Sequence, residues 1–464
     1  MATDKGKVTS HGEFLTGTAS QGHPEGGTFL VSIYSTQATT NSCRISYKFD
    51  KDGLTSFGGA ALLIDCFREH LNVRQLLDSL PIEKAPWATY TLGDDLETLL
   101  VAYALGIERI EHMDVIEHDP LLRIKLDLDK LPHRTSLYRA LDRFSSPEHV
   151  DALYKINKQL LPALVDSSKP FVLDLDTTVE TVHGTQEGSS RGYNHRYPGR
   201  HSYQPFLAFD GNSQALINVE LRDGSAPSAN DIVAFFRKTL QALPKGINLK
   251  YVRADRGFGS DRFMKTLEEE GVKYTIKIKL YSSLVERMER GILWQRIYFD
   301  EHKVIEVGAV GYKANCWDTN RRIVLVRSTE YATNGQQRLF DLWDYQAIAT
   351  NLDWAPEDIW RFYNQRCNSE NYIKELKYGV NIDNIGKEEF WPNAADLWIK
   401  CLAYNCLLAF KQRLAGKAKR YSLARLRRML ILIPGIITRH ARRWTLHLPR
   451  WWPFKRLWRQ AVQV

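Results

Sequence analysis

Tyr363, Arg366, Glu370 and Lys377 recur at intervals of three, four and seven residues within the stretch 358–379, DIWRFYNQRCNSENYIKELKYG. On an α-helix, at 100° per residue, they fall in an arc of roughly 60°. One face then offers a phenol, a guanidinium, a carboxylate and an ammonium to a single location. A lone carboxylate among cations suits phosphate and metal, although a solvated face of i,i+4 ion pairs would carry the same residues. Phe362, Ile373 and Leu376 flank the arc and can anchor the helix to a core. Gly379 follows the last turn, where a left-handed cap is easiest for glycine.

Two further places concentrate acids. Asp174 and Asp176 sit two apart in the alternating run FVLDLDTT, so they share one face of a strand. Buried carboxylates there are costly unless solvated, hydrogen-bonded or bound to a cation; turn-forming aspartates at a strand end are the plainer alternative. Asp255 stands where the strand in INLKYVRAD stops and the chain turns through Arg256-Gly257. A helix-entry cap would explain it equally well.

The elements that must position these residues follow from patterning. From Thr55 to Val165 apolar residues recur at helical spacing, as in GGAALLIDCFREHL and DDLETLLVAYALGIERI, with no strand-like interruption. One short helix, capped by Thr135 or Ser136 after a Pro-His turn, carries Tyr138, Arg139 and Arg143. It could be the reading helix of a helix-turn-helix or a packing helix with exposed arginines. From Pro170 the order becomes three strands, a helix near 231–243, a strand, a helix near 261–270 and a strand near 274–280. That order predicts a mixed sheet with flanking helices, whose strand ends meet at one rim. Residues 281–350 then read as short β runs separated by turns such as Asn334-Gly335. Residues 1–45 are rich in Gly, Ser and Thr, with one early strand expected near Phe29–Tyr34.

Composition narrows the partners. The chain holds 464 residues, 44% hydrophobic and 25% charged, the mix of a globular protein. No uncharged apolar run approaches the roughly 18 residues that span a bilayer, and no basic-then-apolar leader opens the chain. Six scattered cysteines without a Cys-x-x-Cys pair argue for a reducing compartment and against structural zinc. From Lys411 onward there are fifteen Lys or Arg and no Asp or Glu, which leaves 48 of the 63 basic residues to face all 54 acidic ones, a net of −6. The whole basic excess therefore lies in the tail, and such a block usually meets nucleic acid.

Three stretches together make the chain resemble the DDE-type transposases of bacterial insertion sequences, in the group with an all-β insertion before the catalytic glutamate. They are LDLDTT with HGTQEG and GYNHRYPGRHSYQPFLAF, then RADRGF, then YNQRCNSENYIKELKYG. The chain is most similar to the family numbered thirteen-eighty, over about residues 55–450.

The resemblance implies an α/β protein with an RNase H-like mixed sheet and flanking helices. Its layout would be a flexible tail (1–54), a helical DNA-binding domain (55–168), the first part of the core (169–280), the β-rich insertion (281–350), the catalytic helix and its successor (351–410) and a basic helical C-terminal region (411–464). It implies that Asp176, Asp255 and Glu370 hold two Mg²⁺, with Mn²⁺ able to substitute. Asp176 is favoured over its face-mate Asp174 because the family's acid precedes a small polar residue and a threonine, as in Asp176-Thr177-Thr178. Two metals would activate water or a 3′-hydroxyl for in-line attack at phosphorus. Arg366, Lys377 and Tyr363 would neutralise or hydrogen-bond phosphate. Trp294 would stack on a flipped base, or else pair across strands with Tyr298 or Trp317. The implied partners are the double-stranded DNA of the element ends and target and, in a homodimer, a second copy, in a bacterial cytoplasm at the nucleoid. An RNase H-fold nuclease without strand transfer shares the core. A non-catalytic DNA-binding descendant would show substituted acids, and all three are present. A two-carboxylate glycosidase would explain the acids but neither Arg366, Lys377 nor the basic tail.

Overall fold

The structure, a computed structural model, describes residues 47–227, 231–300, 302–330 and 343–462. The strand expected near 29–34 and the turn at 334–335 lie outside them. Residues 47–52 have no regular secondary structure and belong to a separate N-terminal unit; Gly53–Val464 form the other.

The sheet is built on strands β1 (Phe171–Thr177), β2 (Phe206–Asp210), β3 (Leu216–Glu220), β4 (Leu249–Ala254) and β5 (Lys273–Ile278), in the order β3-β2-β1-β4-β5. β1, β4 and β5 run parallel, while β2 pairs antiparallel with both β1 and β3. The crossovers carry helices α1 (Ile232–Ala242) and α2 (Asp261–Glu269). Four more strands, β6 (Gln295–Phe299), β7 (Lys303–Tyr312), β8 (Arg321–Glu330) and β9 (Asp344–Thr350), add on beyond β5 in the order β9-β8-β7-β6. The expected separate β unit is thus the outer part of one nine-stranded sheet, because β9 pairs antiparallel with β5 through Ala347–Thr350. Nor is that segment all β. It opens with helix α3 (Ser282–Gly291), whose Leu284 and Met288, four residues apart, are buried.

The middle stretches of β7 and β8 and the end of β9 are buried at successive positions because both faces are covered there, whereas the edge strand β6 is largely exposed. Ile323 and Leu325 enter the main core. Val324 and Val326 enter a second cluster with Ile359 and Tyr363 of helix α4 (Pro356–Asn364). At the far edge Arg327 lies over the rings of Trp294 (4.5 Å) and Trp343 (4.3 Å) and donates to Glu306. The stretch SYQPFLAFD forms two strands rather than one. His201–Tyr203 joins a small three-stranded sheet with Glu180–Thr181 and Ser190–Arg191, and the chain resumes in β2 just after Pro205, which has no N–H to donate.

The helical region packs on the sheet through the long helix α6 (Phe390–Arg413), which touches helices Leu92–Leu105 and Pro147–Leu160 as well as β3. Its start is held by the HGTQEG loop, since Glu187 Oε2 accepts from the Phe390 N–H at 2.9 Å. The basic tail is not wholly helical. Its alternating, β-branched run forms a hairpin of β10 (Gly435–His440) and β11 (Arg443–His447), and β10 pairs with Leu54–Thr55. Leu430, Ile431 and Ile433 are fully buried, so this segment belongs to the core. Two of the tail's cations are buried as well. Arg427 donates to the carbonyls of Tyr103, Ala104 and Gly379, and burial lowers its pKa to about 10. Burial also pulls the Lys411 ammonium down.

β3 closes one edge of the sheet, and its backbone is covered by side chains. Asn405 Oδ1 accepts from the Leu216 N–H at 3.0 Å, and its Nδ2 donates to Leu216 O and to Asn157 Oδ1. Asn157 in turn donates to Leu216 O and Ile217 O. Asn405→Leu strands these buried groups and should lower stability by about 1–3 kcal/mol per unsatisfied group, read as a fall in the urea midpoint.

Candidate active site

Parallel pairing of β1 with β4 sets Asp174 opposite Arg253 and Leu175 opposite Ala254. One step further brings Asp176 level with Asp255, just past the end of β4. The two inward-facing acids of β1 have different environments. Asp174 is fully buried and bound bidentately by Arg253, with Nε at 2.6 Å and Nη2 at 2.7 Å. Burial pushes its carboxyl up and Arg253 pulls against it. Asp176 is also buried, but at the sheet rim. Its Oδ2 accepts from Ser369 Oγ at 2.9 Å and its Oδ1 from the Thr177 N–H. Burial raises its pKa too, against the Arg366 charge.

The signature stretch is not one helix. It is α4, a tight turn at Gln365–Arg366, and helix α5 (Cys367–Gly379). The cause is Arg253. Its Nη1 donates to the Phe362 carbonyl and to Gln365 Oε1, both at 3.1 Å. The Arg366 N–H bonds Tyr363 O instead, and Ser369 N bonds Arg366 O, so i,i+3 pairing replaces i,i+4. At three residues per turn positions i and i+3 eclipse, so Arg366 stays above Tyr363. Gly379 is not the left-handed cap expected. It ends α5 with Leu423 packed against it, where an added Cβ would stand 3.1 Å from Leu423 Cδ1. The left-handed residue is Asn381, at φ 58°.

Arg366 Nη2 lies 3.1 Å from Asp176 Oδ1 and 3.9 Å from Asp255 Oδ2. One nitrogen reaches both acids, so those oxygens are at most about 7 Å apart. Arg366 Nε is buried without a hydrogen-bond partner. The guanidinium is therefore held largely by charge. Asp255 is half exposed and Glu370 is exposed on the first turn of α5, directly after the Ser369 that donates to Asp176. Tyr363 is buried under this group, and burial raises its phenol well above the usual range.

A hard, all-carboxylate donor set whose buried member needs a nearby positive charge fits a divalent cation. At present Arg366 supplies that charge. Among the described residues, three acids or histidines with ligand atoms all within 4.8 Å occur only at Asp114, Glu117 and His133. That group is on the helical region, where Arg134 pairs with Asp114.

Lys377 is turned to the protein. Its Nζ donates to Val179 O at 3.3 Å and stands 2.9 Å from Asp383 Oδ1, an ion pair without hydrogen-bond alignment. Arg139 and Arg143 are exposed, Arg143 bonding Glu83 O at 2.7 Å. The helix, Arg134–Leu141, carries Arg139 but ends before Arg143, and it is capped by His133 rather than by Thr135 or Ser136, because the His133 ring accepts from the Thr135 N–H. Trp294 packs 6.4 Å from Tyr345 and under Arg327, with neither Tyr298 nor Trp317 as partner.

Sequence reading missed Arg253, which holds the site together, and Glu180. Glu180 is fully buried, and neither of its oxygens has a hydrogen-bond partner in the protein. Burial first, then Asp383, pushes its carboxyl up to about 8 against Lys400 and Lys377. Between the ordinary 4.5 and 8 the folded protein keeps a proton that the unfolded chain releases, so stability falls as pH rises through that window. Glu180→Gln should remove roughly 3–5 kcal/mol of this decline. Denaturant unfolding at pH 5 and pH 8 would show it, and equal pH dependence in wild type and variant would refute it.

Among solved structures, the chain is similar to the piggyBac transposase in a cryo-EM synaptic complex with hairpin DNA. The identity is 12% and the TM-score 0.42, over 80% of this chain and 79% of that one, a likeness too loose to carry an argument. No curated protein matches. The family model described as "Transposase DDE domain group 1" matches residues 37–464, so the chain belongs to that family and is a DNA transposase.

Proposed function

We propose that this transposase cuts and joins DNA at a site made by Asp176, Asp255 and Glu370, with two divalent ions, Mg²⁺ by preference, held between them. The observation that carries the proposal is Arg366, whose single Nη2 serves two carboxylates from neighbouring parallel strand ends. The order β3-β2-β1-β4-β5 supports reading the inner sheet as an RNase H-like core. The motifs support the thirteen-eighty family. When bound, the ions polarise the phosphate and activate the attacking water or 3′-hydroxyl.

The chain's own groups do the rest. Ser369 and the Thr177 N–H fix the orientation of the Asp176 carboxylate. Arg366, which stands between the two acids, would offer its fork to the scissile phosphate, where a planar guanidinium binds bidentately. Buried Tyr363 supports Arg366 from beneath. Glu370, exposed at the mouth, closes on the site with the DNA. Lys377 positions Val179 and so the end of β1, and it contacts phosphate only if it leaves Asp383. Asp174 has a structural role, because Arg253 occupies both its oxygens. Arg139 on the helical region would contact DNA. A homodimer holding two element ends, in a bacterial cytoplasm, completes the reading.

Asp176→Asn, Asp255→Asn or Glu370→Gln should each lower Mg²⁺-dependent cleavage of element-end DNA at least about a thousandfold, with DNA binding largely kept. Asp174→Asn should behave differently, lowering stability by about 3–5 kcal/mol because it leaves Arg253 buried and uncompensated. Gel assays of cleavage and strand transfer, run beside thermal melts, separate the two outcomes. Wild-type cleavage by Glu370→Gln would sink the three-acid site.

A further inference from the structure

The hairpin β10–β11 carries a conformational anomaly on a basic surface. His440 pairs with Arg443, which leaves Ala441-Arg442 as a two-residue loop. Both loop residues are left-handed, with φ 47° and 66°. Such loops favour Asn-Gly, since alanine and arginine are strained there. Residues 438–445 are all exposed, among them Arg439, Arg442 and Arg443. None of these three arginines makes an ion pair among the described residues, and the chain has no acid from Lys411 onward to neutralise them. Arg439 stacks 5.1 Å from the ring of Trp444, its cross-strand partner. The base is fixed. Ile433 and Ile437 are buried, and β10 is paired to Leu54–Thr55.

We propose that the tip of this hairpin is a clamp for the phosphate backbone of duplex DNA, with Arg439, Arg442 and Arg443 as its contacts. The inference rests on the reading of the chain as a DNA-acting enzyme and adds where the duplex is gripped away from the three acids. A strained residue held at a surface without an internal partner points to a function outside the fold. Here the strained residue projects a guanidinium from the apex of a rigid two-stranded ribbon, a shape that fits a DNA groove. The groove of about 880 Å³ beneath the hairpin, which Arg439 and Trp444 help to line, is mixed in sign, with Arg123 and Lys130 beside Asp127 and Asp129, so Arg442 and Arg443 are the arginines that stand clear of it. The single-sign surface is the tip, and the tip is where phosphates should bind.

Two variants of the full chain test this against a short duplex of arbitrary sequence in EDTA, which keeps cleavage out of the readout. Replacing Arg439, Arg442 and Arg443 together by alanine should make the log–log salt slope shallower by about 2 to 3 and raise Kd at least about tenfold at physiological salt. Replacing Ala441-Arg442 by Asn-Gly relieves the turn. This variant should melt higher than wild type yet bind DNA more weakly, with the slope reduced by about 0.9. A structural role for the arginine would not produce opposite changes in stability and affinity. An unchanged salt slope in folded variants overturns the clamp and leaves the DNA-acting reading intact. Wild-type protein with no salt-dependent DNA binding overturns both.

Discussion

Asp174 and Arg253, buried side by side on parallel strands, form the contact on which the site's geometry depends. The guanidinium is fully committed. Two of its nitrogens hold the carboxylate, and the third takes the Phe362 carbonyl and the Gln365 amide oxygen. The last contact diverts the helical hydrogen bond that Arg366 would otherwise make, so the helix breaks between α4 and α5 and re-forms at a tighter pitch. That break puts Arg366 between Asp176 and Asp255 and Ser369 against Asp176. An isolated charge in this place would be prohibitive, and the pair is tolerable only because every strong donor finds an acceptor.

Electrostatic tension runs through the rest of the centre. Asp176 is buried against the Arg366 charge, the Glu180 carboxyl is buried with no hydrogen bond, and burial pushes both carboxyls up. A folded protein that spends stability in this way is poised to gain from a ligand that supplies positive charge. On the proposed reading, a divalent ion and a phosphate would supply that charge balance where Arg366 now stands. The nine-stranded sheet offsets such tension, since Val324, Val326 and Ile348 of its outer strands pack against Ile359 and Tyr363 of α4.

The basic tail divides its charges between two tasks. Lys411 and Arg427 are inside, Arg427 tying helix Leu92–Leu105 to the end of α5 through three carbonyls. The hairpin arginines remain outside. Counting charges along the chain cannot make this division, because an arginine that satisfies carbonyls and one that meets a phosphate are the same letter.

The sequence by itself determined the parts that depend on local periodicity and composition. The strand runs from β1 to β9 and helices α1 and α2 follow from apolar spacing, and the shared face of Asp174 and Asp176 follows from the two-residue repeat of a strand. The basic excess after Lys411 and the four-residue signature were legible for the same reason, since both are statements about neighbours in the chain. Only the tertiary structure decided what depends on distant partners. The merging of residues 295–350 into the core sheet rests on β9 meeting β5. The break at Gln365–Arg366 rests on a side chain more than a hundred residues upstream. The separate environments of Asp174 and Asp176 rest on which one faces Arg253. Each is a contact across the sheet, and a pattern read along the chain carries no term for what lies across it.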